Sequence, residues 1–193
     1  MRFDNAEFEA SYGTFKQIPA ATKPEIVFSG RSNVGKSSLL NKILNRKALA
    51  KVSASPGKTV TVNFFSIGNV RLVDLPGYGY AKVSRSEKER WAKMIESYFN
   101  SNRDIRLVVQ LIDMRHKPTQ DDIVMLEFLT QMEIPYIIAL TKSDKLNKTQ
   151  YKQQQSLLQE ELAGFAPIDI IPFSAKSGEG SDKIKSAIEK SLK

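Results

Sequence analysis

The chain has 193 residues, the length of one domain at about 100–200 residues per domain. It contains no cysteine and one histidine, which excludes disulfides, thiol catalysis and zinc sites built from cysteines or several histidines, and is typical of the reducing cytoplasm. Residues 1–100 hold 16 Lys/Arg and 8 Asp/Glu, whereas residues 101–193 hold 13 of each, so the net charge of +8 lies in the first half. This asymmetry indicates either an anionic partner such as nucleic acid or a scattered, solubilising surface charge.

Apolar and amphipathic segments alternate along the chain, which is the pattern of an α/β domain with a mostly parallel sheet. No apolar run approaches the roughly 20 residues of a spanning helix, and the acidic N-terminus is unlike a signal peptide, so we expect neither. Residues 1–22 have no clear period and are expected to form an arm or edge element of a single domain, 1–193. Strands are predicted at 25–30, 60–67, 70–75, 107–113, 135–141 and 169–173. Helices are predicted at 37–49, 84–100, 119–132, 148–163 and 181–192.

The dipeptide Gly68-Asn69 separates the second and third predicted strands and is typical of a two-residue hairpin turn. These two strands are therefore predicted to be antiparallel. Ser84 and Glu87 have the spacing of a capping box at the start of the next helix. The pattern as a whole predicts a three-layer α/β fold: a mostly parallel sheet of about six strands, with one antiparallel hairpin strand and helices on both faces.

The segment from Gly30 to Ser37 reads GRSNVGKS and fits the phosphate-binding pattern G-x-x-x-x-G-K-[ST]. Glycines let the backbone approach phosphates closely, and the loop amides with the following helix N-terminus supply positive potential. In this pattern Lys36 contacts the β- and γ-phosphates and the Ser37 hydroxyl binds Mg2+. A chance match to a glycine-rich turn is the alternative, but the flanking strand and helix favour the phosphate site.

The sequence DLPG at 74–77 ends the second hairpin strand. A carboxylate at the C-terminal end of a strand beside the same crevice, here Asp74, is placed to hold Mg2+ through water. The amide of Gly77 could contact the γ-phosphate and so sense it. Taken alone, the motif is more often a turn with a capping aspartate, but its position downstream of Lys36, on a strand of its own, favours the phosphate site.

Two polar motifs, TKSD at 141–144 and SAK at 174–176, follow late strands, where loops line a nucleotide crevice. The carboxylate of Asp144 can accept hydrogen bonds from N1–H and the 2-amino group of guanine. Adenine lacks these donors, and each buried unpaired polar group costs about 1–3 kcal/mol. Lys142 can lay its stem on the base plane, and the Ala175 amide can donate to the guanine carbonyl. TKSD alone is also readable as a polar helix cap, but the four motifs in this order favour a guanine nucleotide.

These motifs resemble the EngB/YsxC/YihA family of bacterial ribosome-assembly GTPases, which are translation-factor-like P-loop GTPases. The matching stretches are GRSNVGKSSLLN at 30–41, SPGKT at 55–59, DLPGYGYA at 74–81, DMRH at 113–116, TKSD at 141–144 and FSAK at 173–176. The resemblance implies a Ras-like P-loop GTPase domain that binds GTP, GDP and Mg2+ and hydrolyses GTP slowly. It also implies a role in assembling the large (50S) ribosomal subunit, with rRNA and ribosomal proteins of the pre-50S particle as partners. We expect a cytoplasmic monomer.

The resemblance assigns Thr59 as a switch threonine whose hydroxyl and carbonyl would reach Mg2+ and the γ-phosphate, with Thr61 as a rival. The expected Mg2+ ligands are Ser37, Thr59 and, through water, Asp74. The expected catalytic residues are Asn33, Lys36, Thr59 and Gly77. The expected GTP-binding residues are Gly30, Arg31, Ser32, Asn33, Val34, Gly35, Lys36, Ser37, Ser38, Gly57, Lys58, Thr59, Val60, Thr61, Asp74, Leu75, Pro76, Gly77, Thr141, Lys142, Ser143, Asp144, Phe173, Ser174, Ala175 and Lys176.

The position after D-x-x-G carries a water-orienting glutamine in many GTPases, but here it is Tyr78, which cannot do the same. We therefore predict slow intrinsic turnover that another factor raises. Asn33 matches an asparagine that binds K+ in some related GTPases, so K+ is one candidate. A loop-bracing role accounts for Asn33 equally well.

Aromatic and basic side chains near the motifs have two interpretations each. Tyr78 and Tyr80 lie in a predicted switch segment, so we expect them to be exposed and able to stack on RNA, whereas Trp91 is predicted in the core. Charged side chains on or beside the polar side of helix 84–100 would contact rRNA phosphates or form a solvated face: Arg85, Lys88, Arg90 and Lys93. His116 is expected to form loop hydrogen bonds rather than to act in catalysis.

Three functions fit the sequence. The first is a GTP-hydrolysing switch in which the γ-phosphate holds Thr59 and Gly77, and hydrolysis reshapes 52–63 and 78–86. The second is a GTP/GDP-gated binding module for another RNA or protein partner, for example in cell division and septation, with incidental hydrolysis. The third is a metabolic P-loop kinase, which the lack of a visible acceptor lid and the guanine-type TKSD disfavour. We adopt the first.

Overall fold

The computed structural model describes residues 1–46, 49–50, 61–79 and 84–193, with Arg85 described by its backbone alone. In this part of the chain seven strands form one sheet: β1 Glu7–Tyr12, β2 Glu25–Gly30, β3 Val62–Ile67, β4 Val70–Asp74, β5 Ile105–Asp113, β6 Tyr136–Thr141 and β7 Ile170–Pro172. The α-helices described are α1 Lys36–Ile43, α2 Arg85–Phe99, α3 Gln120–Gln131, α4 Lys148–Ala163 and α5 Ser181–Ser191.

The strand order is β1-β3-β4-β2-β5-β6-β7. Strand β3 is antiparallel to both of its neighbours, and the other pairings are parallel. The predicted hairpin is confirmed, since Ile67 pairs with Val70 across the turn and Gly68 has a φ of 56°. The mixed sheet with a single antiparallel strand is the predicted fold class.

The sheet has one strand more than the sequence predicted. Residues 7–12 form β1 at the edge, next to β3. Side chains on both faces of β1 are partly exposed, and Phe8 is 53% exposed. The sequence of β1, EFEASY, alternates polar and apolar residues, which is the pattern of a half-buried strand, so the expectation that residues 1–22 have no clear period is wrong for this segment.

Helix α1 is shorter than predicted. The expected helix 37–49 ends at Ile43 in the structure, and Asn45 two residues later has a φ of 51°. The other predicted helices agree within a residue at each end. Ser84 caps α2 by accepting from the Glu87 amide, and Thr119 caps α3 in a box with Asp122, as the cap signals indicated.

Two apolar layers cover the two faces of the sheet. On one face, Phe28 of β2 packs in a cluster with Leu40 of α1 and Ile184 of α5. On the other face, Val27 packs in a cluster with Tyr98 of α2 and residues of α3 and α4. Successive residues of β2 thus point to opposite layers and are buried in both, which explains its continuous apolar sequence.

A buried ionic cluster lies at the start of β2. Glu25 is 0% exposed, and its carboxylate accepts from Arg103 Nε at 2.8 Å, Arg103 Nη2 at 3.0 Å and the Tyr98 hydroxyl at 2.5 Å. Arg71 of β4 lies 3.6 Å from the same carboxylate and binds Glu9 of β1. Burial, followed by the adjacent Glu25, raises the pKa of Tyr98 well above its ordinary value. The cluster ties the end of α2 to three strands.

The loops that follow β2, β4, β5, β6 and β7 all leave the same edge of the sheet, because these strands run parallel. In such sheets the crevice at the C-terminal ends of the strands is the usual place for a ligand. Four of the sequence motifs lie in these loops. No helix in the described residues is long and apolar enough to cross a membrane.

Candidate nucleotide-binding site

Residues 31–35 form a tight loop between β2 and α1. At Gly30 an added Cβ would lie 3.0 Å from the Cβ and carbonyl oxygen of Leu111, so the start of the loop has no room for a side chain. Gly35 has a φ of 109° and Asn33 a φ of 60°, both in the left-handed region. Glycine adopts that region freely and asparagine tolerates it better than most residues. The two residues let the loop turn sharply into the first turn of α1.

Lys36, the first residue of α1, donates a hydrogen bond from Nζ to Oδ1 of Asp74 at the end of β4. The two side chains are 11% and 8% exposed. A buried ammonium and carboxylate stabilise each other only while they stay paired. Ser37 and Ser38 follow in the first turn of α1 and are half-buried. A cation, two hydroxyls and a carboxylate therefore meet at one helix N-terminus, where backbone amides favour an anion.

Residues 75–79 run directly along this loop. The amide of Ser32 donates to the Tyr78 carbonyl at 2.8 Å, and the amide of Tyr78 reaches the Gly30 carbonyl at 3.4 Å. A Cβ on Gly77 would lie 2.9 Å from the Ser32 amide nitrogen. The D-x-x-G segment therefore lies so close to the phosphate loop that only glycine fits at position 77. Leu75 and Pro76 at its start are buried.

The expectation that Tyr78 is exposed is wrong. The residue is 5% exposed, and its hydroxyl donates to Asp122 Oδ1 at 2.7 Å and accepts from Gln110 Nε2 at 2.6 Å. Burial, followed by Asp122, raises the pKa of this hydroxyl well above its ordinary value. Trp91 packs edge-on against the Tyr78 ring at 5.4 Å and donates from Nε1 to the Pro76 carbonyl at 3.0 Å. Because the hydroxyl has two hydrogen-bond partners, the cost of burying this polar group in the core is offset.

The TKSD motif contacts the phosphate loop directly. The hydroxyl of Thr141 donates to the Val34 carbonyl at 2.7 Å, and Lys142 Nζ donates to the Asn33 carbonyl at 2.7 Å. Lys142 has a left-handed φ of 63°. Its stem thus crosses the crevice from the TKSD loop to the phosphate loop and forms a floor on which a planar ring can lie.

Asp113, at the end of β5, pairs with the same lysine. Its Oδ2 accepts from Lys142 Nζ at 2.8 Å and from Arg115 Nη2 at 2.8 Å. Burial by itself would raise the pKa of Asp113, but the hydrogen bonds from Arg115 and Lys142 outweigh it and hold the pKa far below its ordinary value. The carboxylate therefore stays ionised and fixes the direction of the lysine stem.

The TKSD and SAK loops are joined by hydrogen bonds. Ser174, which is fully buried, donates from Oγ to Asp144 Oδ1 at 2.8 Å. Glu179 accepts from the Ser143 hydroxyl at 2.6 Å and from the Tyr151 hydroxyl at 2.5 Å. Burial and then Glu179 raise the pKa of Tyr151 to about 12. The Ser174 hydroxyl thus restricts the rotation of the Asp144 carboxylate through one of its two oxygens.

The remaining SAK residues lie beside Ser174. Phe173 is buried, Ala175 is half-buried and Lys176 is exposed, and the Lys176 amide donates to the Ser174 hydroxyl at 3.2 Å. The loop ends at Gly180, which has a left-handed φ of 78°. A Cβ added at this position would clash with the Pro172 carbonyl oxygen, so no side chain fits.

Part of the predicted site lies outside the described residues, namely Gly57, Lys58, Thr59 and Val60, together with Tyr80. The rival threonine, Thr61, is described, and its hydroxyl donates to Asn63 Oδ1 at 3.2 Å. Sequence reasoning missed Asn63, whose Nδ2 donates to Asp74 Oδ2 at 3.2 Å. A signal was present, since counting back from the two-residue turn places Asn63 opposite Asp74.

Other predicted residues lie on the surface nearby. Lys88, Arg90 and Lys93 of α2 are exposed, and the side chain of Arg85 is outside the described part of the chain. His116 is exposed. Trp91, predicted in the core, is half-buried and lines a cavity of about 460 Å³ between α2 and α3.

The donor set suits Mg2+ bound together with phosphate. Within the described residues, no group of three or more His, Asp and Glu side chains could hold a metal. The Ser37 hydroxyl and the Asp74 carboxylate lie at the phosphate loop, and both are hard oxygen ligands. Mg2+ keeps several waters and is usually bound by one or two protein oxygens with the substrate phosphates, so these two residues fit the ion.

A mixed sheet of this topology, with a phosphate loop, a D-x-x-G segment and two base loops at one edge, defines a P-loop GTPase domain. A family model described as "50S ribosome-binding GTPase" matches residues 25–142. The chain is 45% identical to the "Probable GTP-binding protein EngB" of Bacillus cereus (strain G9842), over 100% of this chain and 98% of the relative. It is 47% identical to the protein of that name from Exiguobacterium sp. (strain ATCC BAA-1283 / AT1b), over 97% and 96%. The chain belongs to the EngB family.

A solved structure supports the same placement. The crystal structure of a probable GTP-binding protein EngB superposes with a TM-score of 0.70 at 26% identity, and the match covers 87% of this chain and 98% of the other. The resemblance drawn from the motifs is thereby confirmed. The family model covers the phosphate loop, the D-x-x-G segment and the first two residues of TKSD, whereas Ser143, Asp144 and the SAK loop lie beyond its end.

Proposed function

We propose that this protein binds GTP and GDP with Mg2+, hydrolyses GTP slowly, and acts as a switch in assembly of the large ribosomal subunit of bacteria. The single observation that carries the proposal is the contact of Lys142 Nζ with the Asn33 carbonyl at 2.7 Å. It brings the base loop and the phosphate loop into one crevice, so that one nucleotide can occupy both. We expect the protein to act as a cytoplasmic monomer.

At the phosphate end, the loop amides and the N-terminus of α1 would receive the β- and γ-phosphates. Lys36 would leave Asp74 and turn to the phosphates, and a phosphate group replaces the carboxylate as its counter-charge. Mg2+, bound by Ser37 and the phosphates and reached by Asp74 through water, would neutralise charge that develops on the transferred group.

At the base end, guanine would lie on the stem of Lys142 with its N1–H and 2-amino group on Asp144. Ser174 holds one carboxylate oxygen of Asp144 at 2.8 Å, which limits rotation of the carboxylate. Adenine has neither of these N–H donors and would offer none to this carboxylate, and selectivity follows from that penalty. The Ala175 amide would donate to the guanine carbonyl.

The test of guanine selectivity uses purified protein with fluorescent GDP and ADP analogues. We expect binding of the guanine analogue and at least about 100-fold weaker binding of the adenine analogue. The variant Asp144→Asn replaces an acceptor with a donor, so we expect it to lose GDP and gain xanthosine diphosphate, whose 2-oxo group accepts. Equal capture of ADP and GDP by the wild-type protein would refute the proposed base site.

Slow hydrolysis is expected because Tyr78 points into the core toward Asp122 and Gln110, away from any attacking water. The main-chain amide of Gly77 would sense the γ-phosphate, and Thr59 would contribute from the other switch. Asn33 is exposed at the turn of the phosphate loop, a position open to a K+ ion. The test compares the rate of GTP turnover in K+ with the rate in Na+ at equal ionic strength. If these two rates are equal, both with and without ribosomal particles, K+ is excluded as the activating factor.

The ribosomal partner is supported by the family description and by the positive charge of the first half of the chain. Co-sedimentation with ribosomal particles should be measured with a GTP analogue, with GDP and without nucleotide, each over a salt series. We expect the most binding with the GTP analogue and a steep fall with salt, because contacts with phosphates release counterions. If the same amount of protein binds the particles with the GTP analogue, with GDP and without nucleotide, the proposed switch function is refuted.

A further inference from the structure

The carboxylate of Asp74 is held on both of its oxygens. Lys36 donates to Oδ1, and the side-chain amide of Asn63 donates to Oδ2 at 3.2 Å. Asn63 and Asp74 are direct partners in the antiparallel pairing of β3 with β4, so the backbone fixes their distance. Asn63 is half-buried, which limits competition from water.

The orientation of the Asn63 amide is determined by its neighbours. An ionised carboxylate accepts hydrogen bonds and donates none, so Nδ2 must face Asp74. The opposite atom, Oδ1, accepts from the Ser11 hydroxyl at 2.7 Å and from the Thr61 hydroxyl at 3.2 Å. A flipped amide would place Nδ2 between two hydroxyls and an oxygen against the carboxylate, and would lose the bond to Asp74.

We propose that Asn63 is a positioning residue for the Mg2+ site, a role that rests on the proposed function. When Lys36 turns to the phosphates, Asp74 loses its partner on Oδ1. The Asn63 bond on Oδ2 is then what keeps the carboxylate in one rotamer, with Oδ1 directed at the metal-bound water. Hydrogen bonds to a metal-binding carboxylate restrict its rotation and thereby strengthen metal binding.

The same network gives the edge strand β1 a part in the site. Ser11 lies on β1, is exposed, and reaches the site through Asn63. Its hydroxyl, like that of Thr61, donates to Oδ1 and so restricts the movement of the amide that faces Asp74. Strand β1 thus acts on the metal site through two hydrogen bonds, from Ser11 to Asn63 and from Asn63 to Asp74.

The experiment measures the affinity of a fluorescent GDP analogue in excess Mg2+ and in EDTA. The ratio of the two affinities reports the metal site separately from the rest of the nucleotide site. For Asn63→Ala we expect this ratio to fall about tenfold, the usual effect of losing a hydrogen bond to a metal-binding group. The affinity in EDTA should stay within about twofold of the wild type, because Asn63 does not face the nucleotide.

One further variant tests the same network, and another serves as a control. Ser11→Ala removes one exposed hydroxyl, so it should fold normally and lower the ratio about two- to threefold. The matched control is Ser66→Ala, at the other end of β3, where the hydroxyl accepts from Lys23 Nζ at 3.0 Å. The control should change neither affinity.

The outcomes separate this inference from the proposed function. A ratio that is unchanged in both Asn63→Ala and Ser11→Ala overturns the positioning role. Equal weakening with Mg2+ and with EDTA also overturns it, because that result indicates general damage to the fold. A wild-type protein that binds no guanine nucleotide in either condition overturns the proposed function itself.

Discussion

Replacing Tyr78 by phenylalanine tests the contact that holds the D-x-x-G segment in the core. The substitution keeps the ring against Trp91 and removes the hydroxyl that donates to Asp122 at 2.7 Å and accepts from Gln110 at 2.6 Å. Hydrogen bonds to charged groups contribute about 1.5–3 kcal/mol each when buried. Asp122 keeps its bonds from Thr119, at 2.7 and 2.8 Å, so it is not left without donors. We therefore expect a loss of about 2 kcal/mol in the free energy of unfolding.

Urea denaturation followed by far-ultraviolet circular dichroism measures this loss as a shift of the midpoint at constant slope. Tyr151→Phe is the matched control, because its hydroxyl also donates to a carboxylate, that of Glu179, but at the surface. We expect the control to lose less than about 1 kcal/mol, as exposed pairs do. Equal losses in the two variants would refute the argument that burial sets the strength of the Tyr78 contact. Trp91 is the single tryptophan of the sequence, so its emission reports whether the segment has moved.

Three more substitutions test other parts of the structure. Glu25→Gln leaves the buried guanidinium of Arg103 without its counter-charge, so we expect a loss of about 3 kcal/mol or more in urea denaturation; a loss below about 1 kcal/mol would contradict the cluster. Asp113 has a pKa below its ordinary value of 3.8 in the folded protein, so its hydrogen bonds from Arg115 and Lys142 stabilise the fold above about pH 4, and this stabilisation is lost as the pH falls further. The advantage of the wild type over Asp113→Asn should accordingly be constant above about pH 5 and decrease between about pH 4 and pH 2, and a difference that stays constant down to about pH 2 would exclude this pairing. Gly77→Ala forces the D-x-x-G segment away from the phosphate loop, so GDP titration should show at least about tenfold weaker binding, whereas unchanged affinity would show that the loop adapts.

The sequence predicted the arrangement of the motifs better than the surroundings of individual side chains. The phosphate loop, Asp74 and Asp144 lie at one edge of the sheet as expected, because each motif follows a strand and parallel strands end at one edge. Tyr78 was misplaced, because its partners Gln110 and Asp122 are 32 and 44 residues away in the chain. No local pattern marks a buried partner at that distance.

What the chain determines by itself is the alternation of strands and helices, the antiparallel hairpin and the motifs on which the proposed nucleotide site rests. These depend on short-range signals: apolar periodicity, caps and a two-residue turn. Only the tertiary structure decided that residues 7–12 complete the sheet and that Asn63 joins Ser11 to Asp74. The alternation in EFEASY is typical of a strand but does not say which strand it pairs with, and a side-chain network exists only once those strands are in register.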